Sequence, residues 1–95
     1  MQVSKNLPAI QQVINKLEKK GYHIRLCHDP KSTRSTMLVI EHGRYRRAKE
    51  FYTGLARCTK DDQFCRSTGT RIAFNRALHN MSAKLGRAKV KEILA

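Results

Sequence analysis

Two stretches of the chain combine basic residues in types and spacing that suit phosphate binding. The first reads RYRRAK from residue 44, where Arg44, Arg46, Arg47 and Lys49 supply positive charge and Tyr45 supplies a ring. Side chains of this kind bind phosphate oxygens, and an aromatic ring among them can stack on a base. A solvated hairpin tip has the same composition, so the pattern allows both interpretations.

The second stretch is a predicted helix whose arginines are Arg66, Arg71 and Arg76. We expect Arg66 and Arg76 on its solvent side and Arg71 near the edge of its apolar arc. Three further cations, Lys84, Arg87 and Lys91, recur at helical spacing towards the end of the chain and are predicted to share one helix face. A solvated terminal helix would show the same spacing.

Metal chemistry is poorly supported by the spacing of its candidate ligands. Cys27, His28, Cys58 and Cys65 together contain the residue types of a Cys₃His zinc site. Cys58 and Cys65 are separated by six residues rather than the two to four typical of such sites, and Cys27 and His28 are adjacent. We therefore predict no metal and no cofactor, and we expect all three cysteines to be small buried apolar residues.

The sequence contains candidate residues for acid–base catalysis, but it does not pair them in a recognisable catalytic motif. The four histidines, His23, His28, His42 and His79, are the residue type best suited to general acid–base catalysis of RNA cleavage. The sequence shows no pairing among them, no Gly-rich phosphate loop and no paired carboxylates. We expect a protein that is not an enzyme, with a ribonuclease as the enzymatic alternative.

The overall charge points to a polyanionic partner. Twenty Lys and Arg against seven Asp and Glu give a net charge of +13 and a pI near 10.3. Charge on this scale opposes compactness and is typical of proteins that bind polyanions. An odd number of cysteines without a signal-peptide core predicts reduced thiols in the cytoplasm. No apolar run approaches the roughly 18 residues that a membrane helix needs.

The elements that position these residues follow from periodicity. Apolar residues at helical spacing predict a first helix from Leu7 to Lys20, capped by Asn6 and ended by Gly21. Alternation then predicts a strand from Tyr22 to Leu26, a second near residues 35–41 and a third over residues 50–58. The second strand is apolar on both faces and should be central, while Gly54 in the third indicates a bulge or a close backbone approach.

The start of the arginine-bearing helix is open to two interpretations. It begins at Asp61, with Gly69 inside it, or at Ser67, with Phe64 packed in the preceding loop. In both cases Ala73, Phe74, Ala77, Leu78 and Met81 form one apolar arc that should face the sheet. Ser82 is expected to cap a last short helix over residues 83–94.

These elements predict an α+β fold and a single domain over residues 1–95. The order is α-β-β-β-α: a two-layer sandwich with a three-stranded antiparallel sheet, helices on one face and a short C-terminal helix. The other face of the sheet and the loops remain free for function.

This order resembles that of double-stranded-RNA-binding-like domains, which place basic residues at the start of the last helix against phosphates. Arg66, Thr70 and Arg71 occupy comparable places, although the Lys-Lys-x-Ala-Lys pattern of that helix is absent. The stretch LEKKGY from residue 17 is similar to the first helix-to-strand junction of HicA-type mRNA interferases. The Gly-Ser-His motif that carries their catalysis is absent.

A longer pattern resembles small uncharacterised proteins of tailed bacteriophages. It runs from Gly54 through Asp62, Phe64 and Gly69 to Leu78, as G-x-A-R-C followed by D-x-F-x-R-x-x-G-x-x-I-A-x-x-R-A-L, and covers about a quarter of the chain. The resemblance implies a phage origin, and therefore the cytoplasm of a host cell, without implying a chemistry.

Together these observations predict a phage-type accessory protein that binds nucleic acid, preferably duplex RNA or DNA, mainly through phosphates. The alternatives are an inhibitor or adaptor that binds an acidic surface of a host polymerase or defence nuclease, and a HicA-like ribonuclease toxin. Oligomeric state is left open, because the apolar strand over residues 37–40 suits both a sheet centre and a dimer edge.

Overall fold

The protein is described by a computed structural model, which covers residue 3 and the ranges 6–43, 50–58 and 63–95. Its order of elements is the predicted one, a helix, three strands and two further helices. In chain order they are α1 (Pro8–Lys19), β1 (Tyr22–Asp29), β2 (Ser35–His42), β3 (Glu50–Arg57), α2 (Arg66–Leu85) and α3 (Arg87–Leu94).

The strands form one antiparallel sheet in the order β1-β2-β3. Ile24 of β1 pairs with Ile40 of β2, which pairs in turn with Tyr52 of β3. The central position of β2 confirms the prediction from its two apolar faces. Side chains such as Leu38 and Ile40 are fully buried on the face that the helices cover. The α+β sandwich with a short C-terminal helix is therefore confirmed.

Helix α1 lies where its periodicity placed it, but its N-terminus differs from the prediction. The N-cap residue is Leu7 rather than Asn6, and its apolar side chain cannot accept a hydrogen bond from the N–H groups of the first turn. Pro8 is well tolerated there, since its missing N–H would have no partner within the helix. At the other end Gly21 has φ of +89°, the positive value predicted for the residue that ends this helix. Ile14 and Leu17 are fully buried against the sheet.

Helix α2 packs across β3 and β2 through the predicted apolar arc, with Ala73, Ala77 and Met81 fully buried. The close approach depends on Gly54, because a Cβ atom at this position would overlap the backbone of α2 at Ala73. Of the two possibilities raised by this glycine, the structure shows the close backbone approach.

The boundaries of α2 correct two predictions. The helix begins at Arg66, between the two predicted starts, with Phe64 in the preceding loop and Gly69 inside the helix. Ser82 caps nothing: α2 continues through it to Leu85, and Gly86, with φ of +90°, separates α2 from α3. The terminal helix is not merely solvated, because Val90 and Ile93 are buried and α3 contacts both α1 and α2.

Candidate nucleic-acid interface

The solvent side of the helical layer is the surface where the described cations concentrate. The three helices and Lys20, which follows α1, carry ten Lys and Arg: Lys16, Lys19, Lys20, Arg66, Arg71, Arg76, Lys84, Arg87, Lys89 and Lys91. They carry only two acids, Glu18 and Glu92. All twelve side chains belong to exposed residues, because the apolar arcs of the helices face the sheet.

The strands have no comparable excess. They carry Arg25 and Arg57 against Asp29, Glu41 and Glu50. One of these arginines is also paired, with Nε of Arg25 at 3.1 Å from Oε1 of Glu41. The turn between β1 and β2 adds Lys31 and Arg34. The described residues therefore divide into a helical layer with ten cations against two acids and a sheet that, with this turn, carries four cations against three acids.

Arg66 and Arg71 of α2 are both exposed, and each has a distinct environment. Arg66 opens the helix, and its positive charge contributes to a lowered pKa of His28, after the larger effect of burial. Arg71 lies one turn and a residue further along. Thr70, which the resemblance placed beside them, is buried and donates its hydroxyl proton to the Arg66 carbonyl at 2.8 Å, so it is engaged within the helix.

Arg76 has a structural contact that the sequence did not indicate. Its Nη1 donates a hydrogen bond to the carbonyl oxygen of Leu55. One turn later, Nδ2 of Asn80 donates to the carbonyl oxygen of Thr53 at 2.7 Å. Both carbonyls belong to β3, which is an edge strand, so α2 covers part of that edge with two side chains. Arg76 therefore contributes to the fold as well as to the positive surface.

Lys84, Arg87 and Lys91 do not lie on one continuous helix. Lys84 belongs to the last turn of α2, whereas Arg87 and Lys91 follow the break at Gly86 and lie four residues apart on α3. All three are exposed. The predicted shared face therefore holds for the pair on α3 and not for the set of three.

The predicted basic loop falls outside the described residues, so its geometry is not part of this interface. Its members are Arg44, Tyr45, Arg46, Arg47 and Lys49. The chain enters this segment after Gly43, next to the end of β2, and leaves it at Glu50, where β3 begins.

The histidines are dispersed. Nδ1 of His28 shares a hydrogen bond of 2.8 Å with Oγ1 of the buried Thr36, and the ring meets Phe64 edge-on at 6.0 Å. His42 stacks on Tyr22 with ring centroids 4.3 Å apart, at the opposite end of the β1–β2 ladder. His23 is exposed on a strand, and His79 is exposed on α2. Burial, and to a smaller extent the charge of Arg66, lower the pKa of His28 and so favour its neutral ring.

The cysteines correct the expectation that all three are buried. Cys27 is exposed on β1, Cys58 is half-buried, and Cys65, the residue before α2, is exposed. Hydroxyl and amide groups of Ser67 and Thr68 lower the pKa of the Cys65 thiol to about 7. Cys58 and Cys65 line one cavity of about 290 Å³ beside Phe64 and Ile72. Within the ranges that the structure describes, no three His, Cys, Asp or Glu side chains are grouped to hold a metal ion.

Among the described residues, no helix is both long and apolar enough to cross a membrane. No known protein family, no curated protein and no solved structure matches the chain. The interface must therefore be interpreted from its own charges and contacts.

Proposed function

We propose that this protein binds nucleic acid through the phosphate backbone, using the solvent side of its helical layer, and that it is not an enzyme. The observation that supports the proposal is the separation of charge: ten cations against two acids on the helices, beside strands that carry two cations against three acids. A polyanion gains most from such a surface because each contacted phosphate releases bound counterions.

A duplex suits this surface better than a flexible single strand. The described cations lie on helices that are held by buried side chains such as Phe74, Met81 and Val90, so the backbone positions that carry them are fixed. Fixed attachment points for flexible cationic side chains suit the regular phosphates of a double helix. In contrast, binding of single strands depends on aromatic side chains on which bases stack. The helices expose no Phe, Tyr or Trp side chain, because Phe74 is the one residue of these types on them and it is buried; His79 is their one exposed aromatic ring.

The biological setting follows from the sequence pattern that spans residues 54–78, which is similar to small tailed-phage proteins. On that basis we place the protein among phage-type accessory proteins acting in the cytoplasm of a host cell. An acidic face of a host enzyme would find the same cations attractive. The two partners differ in their expected response to nuclease treatment and to salt.

The test is a binding titration with duplex RNA, duplex DNA and single strands, at nanomolar probe, with protein first stripped of nucleic acid. Six phosphate contacts give a slope of about −5 for the logarithm of affinity against the logarithm of salt concentration. Micromolar or tighter binding with a steep slope is expected. No binding at about 50 mM salt, together with a nuclease-resistant complex from host lysate, would favour an acidic protein partner instead.

Two matched double variants locate the surface. Arg71→Gln with Lys84→Gln removes two charges from the helical layer, whereas Lys31→Gln with Arg57→Gln removes two exposed charges from a turn and a strand. The first variant should weaken duplex binding at least tenfold and make the salt slope shallower by about two, since each lost contact changes it by about 0.9. The second should change affinity less than threefold. Equal weakening would show that net charge, and not this surface, determines binding.

A further inference from the structure

The sheet face that the helices leave uncovered exposes a group of apolar side chains. Phe51 is 55% exposed, Met37 is 42% exposed and Leu55 is 37% exposed. Leu55 pairs directly with Met37, and Val39 is the next residue of β2 on the same face. We call this surface, with Phe51, Met37, Leu55 and Val39 at its centre, the open face. Contiguous apolar surface of this kind is typical of a docking site.

The charges on the open face identify the kind of partner that it fits. Alternation along the strands places Arg25, Asp29, Glu41 and Arg57 on this side of the sheet. These four described charges are balanced: Asp29 and Arg57 both flank Ser35 at one end, and Arg25 forms its ion pair with Glu41 towards the other. Among them a polyanion finds no excess of positive charge. A second surface with the same balance of charge and the same apolar centre would not be repelled by the open face.

We propose that the open face binds the open face of a second copy of this chain, forming a symmetric dimer with the two sheets packed against each other. A groove of about 570 Å³ beside Phe51, lined by Arg25, Met37, Val39 and Thr53, gives the ring of the second copy a concave place to pack. Two sheets packed in this way lie about 10 Å apart, and their inner side chains interdigitate. The inference does not depend on the nucleic-acid proposal.

Repulsion between two copies at +13 opposes association, and this arrangement keeps the described cations of the two helical layers apart. The helical layers lie on the outside of the dimer, separated by both sheets. That distance is well beyond the screening length of about 8 Å at physiological ionic strength. Any arrangement that brought the helical layers together would instead place ten cations of one copy beside ten of the other. The dimer consequently presents two basic surfaces that point in opposite directions.

The size of the open face sets the expected strength. Three strands of eight residues cover about 26 Å by 14 Å, or about 370 Å² in projection. A standard interface buries about 800 Å² on each partner, so this one belongs with the small, weaker class. The dimer should form at tens of micromolar protein and be absent at the nanomolar concentrations of a binding titration.

Sedimentation velocity from about 1 to 200 μM, a range matched to an interface of this size, tests the proposal on nucleic-acid-free protein. The wild type should shift from monomer to dimer across the range. Phe51→Ser should raise the dimer dissociation constant at least tenfold, whereas Phe51→Leu, which keeps an apolar side chain, should raise it less than threefold. Because Phe51 is largely exposed, both variants should keep the far-UV circular dichroism of the wild type.

Three results would overturn the proposal. The first is a wild type that stays monomeric at the highest concentration. The second is a dimer that Phe51→Ser leaves unchanged, since association would then use another surface. The third is a monomer whose Phe51→Ser variant loses affinity for single-stranded RNA, which would make the open face a surface on which bases stack.

Discussion

Gly54 of β3 lies against the backbone of α2 at Ala73, and there is no space between them for a side chain. A methyl group at residue 54 would overlap the Ala73 carbonyl oxygen and crowd the backbone nitrogen of Ala77. Neither atom can move without shifting the helix. The position of α2 over the sheet, and so the position of every cation on that helix, depends on this contact.

Replacing Gly54 by Ala should therefore destabilise the protein by about 3 kcal/mol, the upper part of the range for overpacked sites. Urea denaturation followed by circular dichroism measures the change. Gly69→Ala is the comparison, because the added methyl group would crowd Oγ1 and Cβ of the buried Thr36, which shares a hydrogen bond with His28, and would meet no backbone atom. Thr36 must shift to admit it but the backbone of α2 need not, so this variant should lose less than Gly54→Ala, about 1–2 kcal/mol. Equal losses would contradict the special role of the Gly54 contact.

The helices and strands of this fold could be predicted from the sequence, because each shows a clear apolar periodicity or a residue that marks its end. The two apolar faces of β2 predicted its central position, and Gly21 predicted the end of α1. The break at Gly86 was misplaced because Ser82 has the residue type of a helix cap. The apolar spacing of Leu78, Met81 and Leu85 in fact continues through Ser82, and it indicates one helix up to the glycine.

The site was less predictable, because its contacts join residues that are distant in the chain. In the sequence, Arg76 has the appearance of a free surface cation. Nothing within its own helix indicates that the carbonyl oxygen of Leu55, 21 residues earlier, accepts a hydrogen bond from it. The exposure of Cys65 depends similarly on where α2 begins, which periodicity left open by several residues. Charge composition could predict a basic surface, but only the packing of the helices shows which side of the molecule has it.

Substitutions of Arg76 and Arg71 should have different effects: loss of the Arg76 side chain should lower stability, whereas loss of the Arg71 side chain should lower nucleic-acid affinity alone. Arg76→Ala removes a hydrogen bond to the β3 edge and should cost about 1 kcal/mol in unfolding free energy. Asn80→Ala removes the neighbouring bond and should cost a similar amount. Both variants uncover an edge strand, so aggregation on heating should increase. Urea denaturation and light scattering on heating measure the two effects.

Arg71→Ala is the matched change for this pair, since it removes one exposed arginine from the same helix. It should leave the free energy of unfolding within about 0.5 kcal/mol of the wild type, as surface substitutions usually do. Duplex affinity should fall in Arg71→Ala. If Arg71→Ala destabilised the fold as much as Arg76→Ala, the structural role assigned to Arg76 would lose its support.

His28 should titrate below the pKa of 6.5 that is ordinary for a histidine, because burial and the charge of Arg66 disfavour its protonated form. The unfolded chain then binds more protons than the folded protein between the folded pKa and 6.5. Stability should therefore fall as the pH is lowered through that window. Removing the charge in Arg66→Gln should move the pKa of His28 upwards.

Proton NMR of the histidine ring signals measures this shift directly. Arg71→Gln is the control, since it removes an equal charge further along α2 and should leave the pKa of His28 where it is. His28→Gln should flatten the pH dependence of stability in the same window. A His28 pKa that did not respond to Arg66→Gln would mean that burial alone sets it.

Cys65 should react as a thiolate near neutral pH, because hydrogen bonds from Ser67 and Thr68 lower its pKa to about 7. The rate of alkylation by iodoacetamide, followed by mass spectrometry of each cysteine, should reach half its maximum near that pH. Ser67→Ala removes the largest of these contributions, so the midpoint should move to higher pH. Cys27 is an exposed thiol in the same molecule and should react in both proteins with an unchanged profile. An identical Cys65 profile in the wild type and in Ser67→Ala would show that the hydroxyl does not stabilise the thiolate.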